Sequence, residues 1–337
     1  MTQDFTQAIE LLQAGKLVAF PTETVYGLGA DAANPEAVAR IFAAKGRPAD
    51  HPLIVHLPGA GYLERWAQDI PAIAWELAEA FWPGPLTLIL KRTPQVPYAV
   101  TGGQETVGLR MPAHPLALGL LRAFALAGDG RGGLCGIAAP SANRFGRISP
   151  TEAAHVHQEL GGAVALVLDG GPCQVGIEST IIDLSRDSDQ PPRLLRPGRI
   201  TPEQIYAATG VRPEWPAAMR GGNVPRVSGS LEAHYAPLTP MRLVASWQLP
   251  AVIAELQKSG RRCALLARTR QTLLALPHVQ RQLPDAAEAY AHGLYAALRE
   301  LDQVGSDVIV VEEVPADPDW AAVADRLRRA DCGSGEV

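Results

Sequence analysis

Lys45-Gly46-Arg47-Pro48 is a run whose residue types could do chemistry. A compact ammonium and a planar guanidinium two positions apart suit a polyphosphate. Gly46 stops the helix before it and Pro48 blocks its continuation, so both cations sit on one short loop ahead of a strand. The plainer reading is compensation of a helix dipole, worth about 0.3–1 kcal/mol. His51 and His56 follow in the same stretch.

Four other constellations stand beside this one. Phe20-Pro-Thr-Glu-Thr-Val-Tyr-Gly-Leu-Gly-Ala-Asp31 contains a loose match to the dinucleotide-binding glycine pattern. That pattern needs its glycines directly between a strand and a helix, and here polar and aromatic residues intervene after the strand. A Gly-rich turn and a ligand loop remain equal readings, with Thr22, Thr24 and Tyr26 favouring the loop. Arg110 lies in an otherwise apolar strand, Gly108-Leu109-Arg110-Met111. A buried arginine needs a partner, either a structural ion pair or a substrate carboxylate. Ala138-Ala139-Pro140-Ser141-Ala142-Asn143 ends an apolar strand in small and polar residues. The nucleophile-elbow pattern is absent, so hydrogen bonding to a ligand, or a plain Asx or Ser turn, fits better than a hydrolase serine. Gly176-Ile177-Glu178-Ser179-Thr180 and Leu195-Arg196-Pro197-Gly198 are polar breaks beside apolar runs. No Walker A loop is present, because Gly15-Lys16 is followed by Leu17. His155 and His157 lie two apart on a helix and do not share a face.

The elements that must position these residues alternate from the start. Helices are expected over 5–14, 34–44, 71–81, 114–124 and 151–160. Strands are expected over 17–20, 53–57, 86–90, 107–111, 136–139, 166–168 and 180–184. Asn34 is an N-cap with Pro35 at the first helical position. After residue 210 the periodicity fades, and 211–238 reads as a long Pro- and Gly-containing connector. Alternation resumes beyond it, with strands at 242–245, 263–268 and 308–311 and helices at 251–258, 285–302 and 320–329. The resulting division is a first α/β domain over 1–210, a connector over 211–238 and a smaller α/β domain over 239–337.

Bulk composition narrows the function classes. The net charge is −5, and the hydrophobic fraction of 47% is enough for a real core. Residues 1–238 carry 19 basic and 22 acidic side chains, the remainder 11 and 13, so neither part is a basic nucleic-acid arm. The four cysteines, 135, 173, 263 and 332, form no CxxC pair, which argues against zinc or a disulfide framework and for a reducing, cytoplasmic setting. Neither a signal peptide nor a membrane span is expected. Of the 61 glycines and prolines, 50 fall in residues 1–238, so the shaped loops belong to the first domain and connector.

Taken together and in order, PTETVYGLG, KGRP with HPLIVH, WPGPLT, GLRMPAHP, APSAN, GIESTIID and LRPG resemble the YrdC-like family. The connector with HYAP and the extra C-terminal region resemble its two-domain type, the threonylcarbamoyl-AMP synthases. The resemblance implies a twisted mixed α/β sheet around a deep cavity, plus a small Rossmann-like three-layer domain. It implies a nucleotidyltransferase that makes threonylcarbamoyl-AMP and pyrophosphate from L-threonine, bicarbonate or CO2, and ATP with Mg2+. A partner enzyme would then modify the tRNA adenosine next to the anticodon. By the same resemblance, Lys45 and Arg47 are the catalytic cations on the ATP phosphates. His51, Thr106, Ser141, Asn143, Ser149, Arg196 and Tyr235 are further ATP contacts, with Tyr235 making the connector a lid. Thr24, His56, Arg110, Ala139 and Ser179 form the threonine pocket, with Arg110 as the carboxylate fork. No resident metal site is implied. The stretch AGDGRGGLCG reads as an insertion before IAAPSAN. Two alternatives remain: an RNA-binding accessory module, with a weak RNA contact, and a carbamoyl-transfer domain of the hydrogenase-maturation type. The latter would need paired-cysteine zinc fingers, which this chain lacks.

Overall fold

Short apolar runs bounded by Gly, Pro and polar residues form the strands that carry the motifs. The computed structural model describes residues 4–128, 133–186, 190–215, 224–229, 231–270 and 276–335. Part of the insertion-like stretch (129–132) and part of the connector (216–223 and 230) lie outside the described residues. The chain forms two compact units. One comprises Met1–Arg144, Pro150–Gln174 and Glu178–Ser230, the other Phe145–Ser149, Val175–Ile177 and Leu231–Val337.

Among its described residues the first unit has nine strands: β1 Val18–Phe20, β2 Gly27–Asp31, β3 Ile54–His56, β4 Leu86–Lys91, β5 Thr106–Arg110, β6 Ile137–Ala138, β7 Leu166–Val167, β8 Thr180–Asp183 and β9 Arg193–Arg196. They form one mixed sheet in the order β7-β1-β2-β6-β3-β5-β4-β8-β9. Alternation along β1 sends Val18 and Phe20 to a cluster with Leu12, Leu116, Leu120 and Phe124. Ala19, pointing the other way, joins the larger core with Ile41, Phe42, Leu53 and Trp66. The sheet is thus buried on both faces in this region.

The helix Pro35–Lys45 delivers the KGRP loop. Asn34 caps it by accepting from the N–H groups of Glu36 and Ala37, and Gly46 ends it at φ 62°, a conformation glycine adopts without a Cβ penalty. GLGAD, read as either a turn or a ligand loop, is instead strand β2, paired antiparallel with both β1 and β6. Its glycines answer to packing. A Cβ on Gly29 would stand 2.7 Å from the Phe20 ring and 2.9 Å from the Val18 carbonyl oxygen. Strand β9 and the helix Pro202–Thr209, closed by a Thr201–Gln204 capping box, are further elements the periodicity did not reveal.

The second unit holds a four-stranded, all-parallel sheet: β10 Met241–Val244, β11 Cys263–Ala267, β12 Val279–Gln282 and β13 Val308–Glu312, in the order β10-β13-β11-β12. Every residue of the central strands β11 and β13 is buried, the signature of parallel strands covered on both faces. The helices Leu249–Lys258, Ala287–Asp302 and Ala321–Gly333 belong to this unit. Mixed α/β architecture with a second, smaller parallel-sheet unit is therefore what the chain adopts. Among the described residues no helix is long and apolar enough to cross a membrane.

Candidate active site

The KGRP, YGLG and APSAN motifs meet in the first unit. The N–H of Leu28 donates to the Pro140 carbonyl at 2.7 Å and that of Ala142 to the Tyr26 carbonyl at 2.9 Å, which pins the APSAN loop against β2. Lys45, at the end of its helix, then donates to the carbonyl oxygens of Ser141 and Asn143, both at 2.5 Å. Two of its three N–H donors are occupied by neutral acceptors. Lys45 is buried. Burial, reinforced by the Arg47 charge, holds its ammonium well below the ordinary lysine range. An anion brought to the remaining donor would relieve that destabilisation, and a phosphate oxygen has the required chemistry.

Arg47 is buried too, and its Nη2 donates to the Pro52 carbonyl at 2.9 Å and to Ser228 Oγ at 3.0 Å. Arg196, at the end of β9, reaches the same serine: its Nη1 donates to the Ser228 carbonyl at 2.8 Å. Its Nε donates to the Ser179 carbonyl and its Nη2 to Ser179 Oγ, each at 3.0 Å. Ser179 Oγ shares a further 2.8 Å hydrogen bond with Thr87. A narrow pocket beside these cations is lined by Pro52, Thr106, Gly108, Ile181, Val227 and Ser228. Val227 packs there against Ile89, Ile181 and Leu195, which anchors the segment 224–229 to the sheet. Thr106 opens β5 at this pocket, and His51 is half-buried beyond Pro48. Burial, then the Arg47 charge, lowers the His51 pKa below its ordinary value, so the ring is neutral at pH 7.

A second polar group lies on β3 and β5. His56 and Arg110 are direct partners in the parallel β3–β5 register. Arg110 donates from Nε to the Gly84 carbonyl at 3.3 Å, from Nη1 to Thr24 Oγ1 at 2.9 Å, and from Nη2 to Glu23 Oε1 at 2.6 Å. Thr24 is held in turn by Thr22, with the two hydroxyl oxygens 2.8 Å apart. His56 is buried, and burial followed by the Arg110 charge pushes its pKa down to about 3. It is therefore a neutral imidazole, and its Nδ1 has no hydrogen-bond partner among the described residues. Ala139, whose N–H donates to the Ile54 carbonyl at 3.0 Å, lines up beside the same strand.

The structure thus gathers Lys45, Ser141 and Asn143 in one group, Arg47, Ser179 and Arg196 in a second, and Thr24, His56 and Arg110 in a third. Ser149 and Tyr235 belong to the second unit. There the Ser149 carbonyl accepts from Arg299 Nε at 3.5 Å. Tyr235 is buried at φ 63°, its ring stacked on Tyr295 at 5.8 Å and facing the Arg326 guanidinium at 5.3 Å. Sequence reasoning passed over Glu23, Thr87 and Ser228. Glu23 did carry a signal, because an acid amid apolar and hydroxyl residues needs a cation somewhere, and Arg110 needed an acid. Among the described residues no group of three or more His, Cys, Asp or Glu could hold a metal ion.

Comparison with known proteins gives the family. The family model described as Telomere recombination (Sua5, YciO, YrdC) matches residues 10–198, and the model of the threonylcarbamoyl-AMP synthase C-terminal domain matches residues 200–332. A threonylcarbamoyl-AMP synthase of Pyrococcus abyssi is 40% identical, covering 96% of this chain and 92% of its own length. The chain belongs to the threonylcarbamoyl-AMP synthase family. A Bacillus subtilis member of that family is 41% identical over 96% of this chain and 92% of its own length. Among solved structures, P. abyssi Sua5 complexed with L-threonine superposes with a TM-score of 0.86 at 40% identity, over 97% of this chain and 94% of that one. The family places the two units described above in a single kind of enzyme, and KGRP, APSAN and GLRMP all fall inside the Telomere recombination match.

Proposed function

We propose that this chain is a nucleotidyltransferase that makes L-threonylcarbamoyladenylate from L-threonine, bicarbonate or CO2, and ATP. The observation that carries this reading is the presence in one compact unit of two kinds of anion receptor. Lys45 and Arg47 are buried cations suited to a polyphosphate, and Arg110, anchored by Thr24, is a directional receptor suited to a carboxylate.

In this reading Arg110 takes the threonine carboxylate, with Thr24, His56, Ala139 and Ser179 forming the rest of the pocket. Lys45 and Arg47 hold the triphosphate, with His51, Thr106, Ser141, Asn143 and Arg196 as further nucleotide contacts. The same nucleotide role is proposed for Ser149 and Tyr235. The threonine nitrogen attacks CO2 to form a carbamate, and a carbamate oxygen then attacks the α-phosphorus as pyrophosphate leaves. No side-chain nucleophile is needed. Holding two anions in line and neutralising the charge that gathers on the leaving pyrophosphate supply the rate. Mg2+ brought with ATP would supply further neutralisation of the phosphate charge beside Lys45 and Arg47. The carbamate is short-lived in water, so a lid role for the connector 211–238 belongs to this reading. The product passes to an enzyme that modifies the tRNA adenosine next to the anticodon, in the cytoplasm.

Incubation with isotopically labelled bicarbonate, threonine and ATP tests the reading. Mass spectrometry should find the label in an adduct of threonine with AMP. Formation of AMP with no labelled adduct would contradict it.

A further inference from the structure

Glu23 lies between the two threonines of the PTETVYGLG run, and no role in the proposed reaction falls to it. Yet its carboxylate and the Arg110 guanidinium form a buried pair, with side-chain exposures of 4% and 5% and a separation of 2.6 Å. Both carboxylate oxygens of Glu23 are used. Oε1 accepts from Arg110 Nη2, and Oε2 accepts from the N–H of Ala113 at 3.0 Å. Ala113 lies on the loop that leaves β5, three residues after Arg110. Glu23 therefore ties the guanidinium to the loop that follows its own strand.

A guanidinium has five N–H groups. Gly84, Thr24 and Glu23 each take one, from Nε, Nη1 and Nη2 respectively. Among the described residues two remain, one on each terminal nitrogen, and the two oxygens of a carboxylate are the ligand that would take such a pair. Three anchors on three different nitrogens also fix the plane in which the pair points. We propose that Glu23 is a positioning residue for amino-acid recognition: it sets the Arg110 plane so that the two remaining N–H donors form the fork for the threonine carboxylate. This rests on the proposed synthase reaction. Because Glu23 also neutralises Arg110, the fork selects its ligand by direction and not by an unpaired buried charge.

A purely structural clamp between Glu23 and Ala113 would make different demands. Its loss would lower melting temperature and disturb both substrates alike. The test is Glu23→Gln, which keeps the shape but presents an amide N–H to one of two donors. KM for threonine should rise about tenfold or more while KM for ATP changes less than about threefold. Calorimetric titration with threonine alone, without ATP, should show a matching loss of about tenfold or more in affinity. Glu23→Asp keeps the charge but is one methylene short of spanning both partners, and it should fall between wild type and Glu23→Gln. If Glu23→Gln does not fold, Glu23→Asp carries the test, with an expected rise in threonine KM of about threefold or more. Equal changes in the two KM values, or threonine affinity unchanged in the folded variant, would overturn the proposal. Failure of the wild-type protein to bind threonine would instead overturn the reaction on which it rests.

Discussion

The ammonium of Lys45 stands 2.5 Å from the carbonyl oxygen of Asn143, 98 residues further along the chain. That contact joins the end of one helix to the loop after β6, and it draws Ser141 into the same cradle. An ammonium held between two carbonyls in a buried setting is poised for an anionic ligand. Lys45→Ala should therefore cut kcat/KM for ATP by about 100-fold or more, the scale expected when a cation on a transferring phosphoryl group is removed. Steady-state pyrophosphate release at varied ATP checks this. Wild-type values in a folded variant would refute the role given to Lys45.

Arg110 makes the opposite prediction for substrate preference. Arg110→Ala removes the fork and leaves Glu23 buried without its cation. The threonine requirement should rise by about 100-fold, far more than the ATP requirement, because a buried charged hydrogen-bond pair to the substrate is lost. Varying each substrate at saturation of the other gives the comparison. Equal effects on both would argue against a carboxylate receptor at this position.

His56 predicts a pH dependence of stability. In the folded protein it loses its proton near pH 3, and in the unfolded chain near the ordinary 6.5. Between those values the unfolded chain binds one more proton. The contribution of His56 to stability is therefore complete above about pH 6.5 and declines as pH falls toward 3, by at most about 1.4 kcal/mol per pH unit. Urea midpoints measured across that range should fall with acid in the wild type and fall less steeply in His56→Gln. An identical slope in the two proteins would show that His56 is not buried in its neutral form.

The second unit is held by a different buried charge. Glu312, at the end of β13 and fully buried, accepts from the N–H groups of Arg268 and Thr269 and from the hydroxyls of Thr269 and Ser246, at 2.6–2.9 Å. Glu312→Ala would leave four donors without their acceptor. The cost should be on the order of 3 kcal/mol, since a buried acceptor shared by four hydrogen bonds is lost. Scanning calorimetry of the full chain measures it. A change within about 0.5 kcal/mol, the range of ordinary surface substitutions, would mean that the network is dispensable.

What could be read from the sequence, and what could not, divides along contact range. The KGRP loop was legible because Asn34, Pro35, Gly46 and Pro48 are local punctuation, and each acts on its own neighbours. Strand β2 was not, because the reason for glycine at position 29 is the Phe20 ring and the Val18 carbonyl on the strand beside it. Arg110 announced only that it needed a partner. The structure gives it an internal acid 87 residues away and still leaves two donors, so the ion pair and the substrate fork are not exclusive. Ser228 had no signal at all. It lies in a stretch without periodicity, and its importance comes from meeting both Arg47 and Arg196. Helix Pro202–Thr209 was missed for a simpler reason: it is short and only Ile205 is fully buried, so its apolar period is weak.

The central claim is that one catalytic event consumes threonine, bicarbonate and ATP together. Pyrophosphate release from ATP, measured with each co-substrate omitted in turn, tests it most directly. Release should occur only when threonine and bicarbonate are both present. Release that proceeds at the same rate without threonine would contradict it.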